Sequence, residues 1–326
     1  MSFSGGGGEL GGGSGYGGGG RRWGGSGSGG TTGLAASTGL RAGIFTVRLG
    51  TWIAGLFGAR VDAKGGDAGA RTEPLPDGPG HVPHEQTRAE SRRLGAIVAD
   101  IMRRAGKEAR AGVTTGDLER FLREQAREQG ALPGMLGFRG FPAAAAISVN
   151  EGVLHGIPGT RRLVAGDLVT IEFSLRTRDG HAHQGWTFAV GTPNERDHEL
   201  LRTGREALSQ VVHAVRPRAR VGDLGHLIQT RVGAGGFSVV RDYVGYGIGE
   251  RRLQPPELPG VGRPSTGPSL RAGWVLNVHV ILKHGTHDVT TLPGDDWAVV
   301  AKDGERAALF TAMVEVTEEG GRLLTR

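Results

Sequence analysis

The chain has 326 residues, a formal net charge of +6 and no cysteine. The lack of cysteine excludes a disulfide framework and thiolate chemistry, and the lack of a run of about eighteen apolar residues excludes a transmembrane helix. The N-terminus has no charged-then-apolar pattern of a secretion signal, so the expected location is the cytoplasm.

The first 84 residues are predicted to lie outside the main domain. Residues 1–39 predict a disordered Gly/Ser-rich tail, because seventeen of the first thirty residues are glycine. Residues 40–60 carry apolar side chains at the spacing of an amphipathic helix, which we expect to dock on protein or, alternatively, on a membrane surface. Residues 61–84 are typical of a linker. The scattered arginines indicate a solvated surface, with weak contact to nucleic acid or the ribosome as the alternative.

Apolar stripes at helical spacing predict helices within a folded domain over residues 85–326. The first helix stops near Gly106, and its stripe consists of Leu94, Ile97, Val98, Ile101 and Met102. Thr115 is expected to cap a second helix, since a threonine hydroxyl can accept a hydrogen bond from the first turn. Two further helices are predicted over residues 195–215 and around 224–232.

Residues 168–175 alternate between apolar and polar side chains, which predicts an antiparallel strand. Its polar face carries Thr170, Glu172 and Ser174 and is expected to line a cleft. Further strands are predicted over residues 239–244, 274–282 and 307–316. Together these elements suggest two helix-plus-strand halves of similar size, 85–191 and 193–326.

Seven segments, in order, carry a family resemblance over about residues 88–325. They are residues 112–118 and 137–142, then Ser148-Val149-Asn150-Glu151-Gly152-Val153-Leu154-His155-Gly156-Ile157-Pro158, and then residues 166–174, 179–191, 237–249 and 296–304. Together they resemble the methionine aminopeptidases, whose pita-bread fold is shared with creatinases and proline dipeptidases. The resemblance implies an α+β fold with two pseudo-symmetric halves of helices and antiparallel strands around a central cleft.

Active members of that family hold two divalent cations with two Asp, one His and two Glu, and these ions activate a water molecule. The matching positions here are Glu172, Gln184, Tyr246, His279 and Thr311. The match at Gln184 requires an intervening loop one residue longer than the family's. One carboxylate cannot balance the four charges of two dications. We therefore expect a degenerate metal site and no metal cofactor.

Other family positions are better matched. His155 stands where the family has a histidine near the scissile bond, so it is a candidate catalytic residue or a structural hydrogen-bonding group. The family's second such histidine corresponds to a position near Leu253. The positions that line the family's methionine side-chain pocket hold Phe138, Phe141, Ala146 and Trp297.

Three functions follow from this resemblance. The first is a non-catalytic binding or regulatory protein that holds a peptide or protein ligand in the cleft where the family binds its peptide substrates. The alternative is a repurposed hydrolase, either metal-free with His155, Glu172 and His279 or mononuclear with a zinc ion held with the help of His181 or His183. These last two histidines follow Asp179-Gly180, which favours exposed turn positions. The further alternative is a genuine methionine aminopeptidase.

Overall fold

The computed structural model describes residues 80–326. Within that range the helices are α1 (Glu85–Glu108), α2 (Thr115–Glu128), α3 (Glu195–Ala214) and α4 (Val221–Ala234), with a short 3₁₀ turn at Phe138–Gly140. None of the helices in this range is long and apolar enough to cross a bilayer. The predicted tail, the amphipathic segment 40–60 and the linker up to residue 79 lie outside the described residues.

Strands form one large antiparallel sheet and one small one. In chain order they are β1 (Leu132–Pro133), β2 (Ala145–Val149), β3 (Gly152–Leu154), β4 (Leu168–Arg176), β5 (His181–Ala189), β6 (Ser238–Val239), β7 (Gly245–Ile248), β8 (Gln254–Leu258), β9 (Val275–Lys283), β10 (Val289–Thr291), β11 (Val299–Ala301), β12 (Ala307–Thr317) and β13 (Gly320–Leu323). The large sheet runs β1-β4-β5-β12-β9-β7-β8, and β2, β6 and β13 pair with β4, β9 and β12. The small sheet runs β10-β11-β3.

Two helix pairs cover the large sheet, one for each half of the domain. Helix α1 packs on β4 and β5 and α2 packs on β2, whereas α3 packs on β9 and β12 and α4 packs on β6 and β8. One apolar cluster joins Leu94 and Leu122 to Phe173, and another joins Leu208 and Val232 to Val280. This arrangement of helices and antiparallel strands confirms the predicted α+β class.

Two details of the prediction were wrong. The cap of α2 is Thr114 rather than Thr115, because Thr114 and Asp117 form a reciprocal capping box in which the Asp117 N–H donates to the Thr114 hydroxyl (3.1 Å). Of the strand predicted over residues 239–244, only Val239 lies in a strand, β6, and residues 240–244 form the connection between β6 and β7. The connection lets β6 pair with the end of β9 while β7 pairs with its beginning.

A buried ion pair fixes the loops at the end of β9. The ammonium of Lys283, whose side chain is fully buried, lies 2.7 and 2.8 Å from the two carboxylate oxygens of Asp303. It also donates to the carbonyl oxygens of His284 and Thr286. Because Asp303 follows β11, this contact joins the small sheet to the large one.

Asp303→Asn is expected to destabilise the chain by about 3 kcal/mol, because it leaves a buried ammonium without its counter-charge. The double substitution Lys283→Met with Asp303→Asn removes both charges and should cost less than Asp303→Asn alone. Urea unfolding of the wild type, the two single variants and the double variant measures this difference. A double variant at least as unstable as Asp303→Asn would contradict the role assigned to the pair.

Candidate active site

Glu172 lies at the centre of the inner sheet face and is held by the turn that carries His155. The backbone N–H of His155 donates to Oε1 of Glu172 (2.8 Å), and its imidazole Nε2 lies 3.9 Å from Oε2. His155 itself has a φ of 56°, a left-handed conformation that is uncommon outside glycine. A Cβ at the following Gly156 would lie 2.5 Å from the Ile147 carbonyl oxygen, so this tight turn requires glycine there.

The strand pairing between β4 and β5 corrects the assignment of Gln184. Gly185 lies opposite Glu172 and His183 opposite Ser174, whereas Gln184 lies opposite Phe173. Directly paired residues of antiparallel strands share a face, so His183 faces the cleft and Gln184 lies on the helix-covered side. Matching the family position to His183 also removes the extra loop residue that Gln184 required.

His183 is therefore not the exposed turn residue that its sequence context favours. It belongs to β5 and is only 3% exposed, and among the described residues neither ring nitrogen has a hydrogen-bond partner. Its ring stacks on that of His279, with centroids 5.9 Å apart and planes 18° from parallel. His181 is the first residue of the same strand and lies two residues before His183.

The other predicted positions meet at the same place. His279 and Thr311 are paired across β9 and β12, and the Tyr246 ring lies edge-on to the His279 ring at 5.3 Å. An Asn277 amide nitrogen lies 2.9 Å from Nε2 of His279, and the Thr311 hydroxyl accepts a hydrogen bond from the Gly185 N–H (2.7 Å). The structure thus gathers Glu172, His279, Tyr246 and Thr311 around His183.

Arg252 is a cleft residue that the sequence reasoning missed. It is 9% exposed, and its Nη1 donates to the Gly134 carbonyl oxygen (2.9 Å). Its Cζ lies 4.5 Å from the centroid of the Phe138 ring, a cation–π distance. The only available signal was an arginine pair directly after a glycine-rich loop. The neighbouring Leu253 packs against the apolar core.

Burial determines the protonation of this site. It raises the pKa of Glu172 to about 7, although the His155 N–H and the positive charge of Arg252 oppose the shift. Burial also lowers the pKa of both His155 and His279 to about 3, and it lowers the pKa of His183. The three histidines are therefore neutral at pH 7, and Glu172 gains or loses its proton close to neutrality.

The pocket residues separate into two groups. Phe141 and Ala146 form a small buried apolar cluster with Met135 and Ala143, against which Trp297 packs. The Phe141 and Trp297 rings meet edge to face at 5.2 Å. The Phe138 ring lies under the Arg252 guanidinium, and its place in the pocket stays a prediction.

The side chains at the five matched positions supply few of the ligands that a pair of divalent metal ions requires. The positions occupied by Glu172, His183, Tyr246, His279 and Thr311 offer one carboxylate, two imidazoles and two hydroxyls. Within residues 80–326, no group of three His, Cys, Asp or Glu side chains is arranged to hold an ion. As arranged, these residues do not fit a pair of hard divalent cations, which require several oxygen ligands.

Comparison with known proteins places these features in a family. Residues 89–318 match Metallopeptidase family M24. Methionine aminopeptidase 1 of Bacillus subtilis is 36% identical over 72% of this chain and 94% of its own length, and the methionine aminopeptidase of Clostridium perfringens is 37% identical with the same coverage. The crystal structure of a methionine aminopeptidase from Thermotoga maritima superposes with a TM-score of 0.74 at 32% identity, covering 76% of this chain and 99% of the other. This likeness confirms the pita-bread fold.

The comparisons overturn two expectations from the sequence. The main interpretation, a non-catalytic binding protein, is wrong, because the relatives that match over nearly their whole length are named as methionine aminopeptidases. The expectation of no metal cofactor is wrong as well, because the matching family is one of metallopeptidases. Both errors have one origin. They rest on the five altered ligand positions, whereas the similarity to methionine aminopeptidases extends over 235 residues.

His279 is expected to make stability depend on pH. Its folded pKa of about 3 lies below its unfolded value near 6.5, so the unfolded state binds more protons between these values and stability falls as pH decreases through that window. His279→Gln should flatten the dependence by up to about 1.4 kcal/mol per pH unit. Urea unfolding between pH 4 and 7 measures the slope.

His226→Gln is the control, because His226 lies on the exposed face of α4. It should leave the slope unchanged. Equal slopes in wild type and His279→Gln would show that His279 does not remain neutral in the folded chain.

Proposed function

Because this chain belongs to Metallopeptidase family M24, we propose that it is a hydrolase that removes methionine from the amino terminus of peptides. The observation that carries the proposal is a small apolar cluster beside the buried carboxylate of Glu172 in the cleft. Ala146 lies directly opposite Glu172 in the pairing of β2 with β4, so the cluster and the carboxylate adjoin, and we infer that the cluster forms the side-chain pocket. The names of the similar proteins support the same substrate.

The pocket suits an unbranched, polarisable side chain. Two of its walls, Phe141 and Trp297, are aromatic, and a thioether sulfur gains favourable contacts with aromatic rings. Met135 and the small Ala143 and Ala146 complete the cluster. A methionine side chain in this pocket would place the first peptide bond of a substrate over the inner sheet face, towards Glu172.

Glu172 is the group in this chain that would move a proton. With its pKa near 7, its carboxylate can accept a proton from an attacking water and return it to the leaving amine. The His155 N–H holds Oε1 in place, which leaves Oε2 directed towards the His155 imidazole. Arg252 adds a fixed positive charge whose field favours the ionised carboxylate.

A divalent metal ion, as expected for the family, would supply Lewis-acid activation of water and of the peptide carbonyl. The side chains present do not fit such an ion as arranged, and no step is assigned to it. The assay of the proposed activity therefore includes metal as a variable. Hydrolysis of Met-Ala-Ser is measured after chelation and then with cobalt, manganese, iron or zinc added singly. Release of methionine in any condition supports the proposal, and no release in every condition overturns it.

Trp297→Ala should raise the KM for Met-Ala-Ser by about tenfold or more, because it removes one wall of the apolar pocket. The preference for Met-Ala-Ser over Leu-Ala-Ser should weaken in parallel. The control is Leu292→Ala, which alters an exposed apolar residue of the same loop. Steady-state kinetics on both peptides distinguishes the variants, and an unchanged KM in Trp297→Ala would remove Trp297 from the pocket.

Glu172→Gln should lower kcat by about 100-fold or more, since it removes the proton acceptor while keeping an oxygen that accepts the His155 N–H. In the wild type, kcat should rise with pH through about 7, as the carboxylate becomes ionised. Thermal unfolding checks that the variant is folded. A folded Glu172→Gln chain with the kcat of the wild type would contradict the assignment.

A further inference from the structure

A second cavity lies on the opposite side of the large sheet from Glu172. This back pocket has a volume of about 430 Å³ and lies between helices α1 and α3, above strands β5 and β12. Gln184 and Trp186, which face away from the cleft, form part of its floor. The volume is within the range of small-molecule sites, roughly 300–1,000 Å³.

The walls of the back pocket are apolar. Met102 on α1 and Leu208 on α3 contribute to its helix side, and Trp186 and Phe188 on β5 contribute to its sheet side. Val212 lies on the α3 side and is half-buried. An apolar body is therefore the part of a ligand that these walls would cover.

Apart from its arginines, the back pocket has five polar residues in its lining, which are Gln184, Ser209, His213, Thr311 and Thr325. Gln184 is only 7% exposed, and its buried Oε1 has no hydrogen-bond partner among the described residues. A buried amide oxygen without a partner costs free energy, which a ligand or water that donates a hydrogen bond would recover. Gln184 was predicted to lie in the catalytic cleft, but it lines the back pocket instead.

The mouth of the back pocket is positively charged. Arg103, Arg205 and Arg326 contribute to its lining, and no Asp or Glu does so among the described residues. Arg103 donates to Asp100 and to the Arg326 carbonyl oxygen, whereas Arg205 has no ion-pair partner within residues 80–326. A guanidinium without a partner at the edge of an apolar cavity is complementary to a carboxylate.

We propose that the back pocket between α1 and α3 binds a single-chain amphiphile with a carboxylate head, such as a medium-chain fatty acid. The aliphatic chain lies between Met102 and Leu208, and the carboxylate meets Arg205 at the mouth. The walls belong to both halves of the domain, so such a ligand contacts each half at once.

Dodecanoate is the probe, titrated into the full-length chain below its critical micelle concentration and followed by calorimetry. It should bind with one-to-one stoichiometry, and dodecyltrimethylammonium, with the opposite head charge, should bind at least about tenfold more weakly. Arg205→Glu should weaken dodecanoate binding by about tenfold. Arg231→Glu, which changes an exposed arginine of α4, is the matched control and should bind as the wild type does.

A second variant tests the apolar body of the site. Val212→Phe fills part of the cavity from a half-buried position and should reduce dodecanoate binding more than it changes the unfolding temperature. Absence of saturable binding overturns the proposal, as does equal binding of the two amphiphiles or equal affinity in Arg205→Glu and Arg231→Glu. Binding is measured without peptide substrate, so this result is independent of the aminopeptidase assay.

Discussion

The arrangement of the molecule depends on the pairing register of its long antiparallel strands. Glu172 opposite Gly185 and His279 opposite Thr311 put these side chains on one sheet face, while their neighbours pack under the helices. A shift of one residue in either pairing would exchange the two faces. Gly185 secures this register, because a Cβ there would lie 2.7 Å from Leu309 Cδ2 and the Gly185 N–H donates to Thr311.

The second constraint is the cost of burying charge in the cleft. One carboxylate, three imidazoles and one guanidinium lie close together with little access to water. Burial favours the neutral histidines and raises the pKa of Glu172, whereas Arg252 favours the ionised carboxylate. The guanidinium donates to the Gly134 carbonyl and lies over the Phe138 ring, whereas its buried Nε has no hydrogen-bond partner among the described residues. The buried charges are thus compensated only in part by these partners.

Local patterns in the sequence were sufficient for the helices and for β4, because a repeat of 3.6 or 2 residues can be read without tertiary information. The assignment of Gln184 failed because the face of a residue in β5 depends on its register with β4, which a one-residue difference in loop length conceals. Arg252 was missed for another reason. Its contact with Phe138 joins segments 114 residues apart, and no local pattern encodes it. The family resemblance, by contrast, was predicted correctly, because its segments are spread over the whole domain, and only the five ligand positions led to the wrong function.

Strand β5 carries the two candidate sites on its opposite faces. His183 faces the cleft and Gln184 faces the back pocket, although they are adjacent in the chain. Since neighbouring side chains of a strand point in opposite directions, a substitution can change one site while leaving the lining of the other. Both sites nevertheless share the backbone of β5, so a ligand that displaces Gln184 would also displace the strand that positions His183. The two candidate sites therefore use different side chains of the same strand and are separated by the thickness of one sheet.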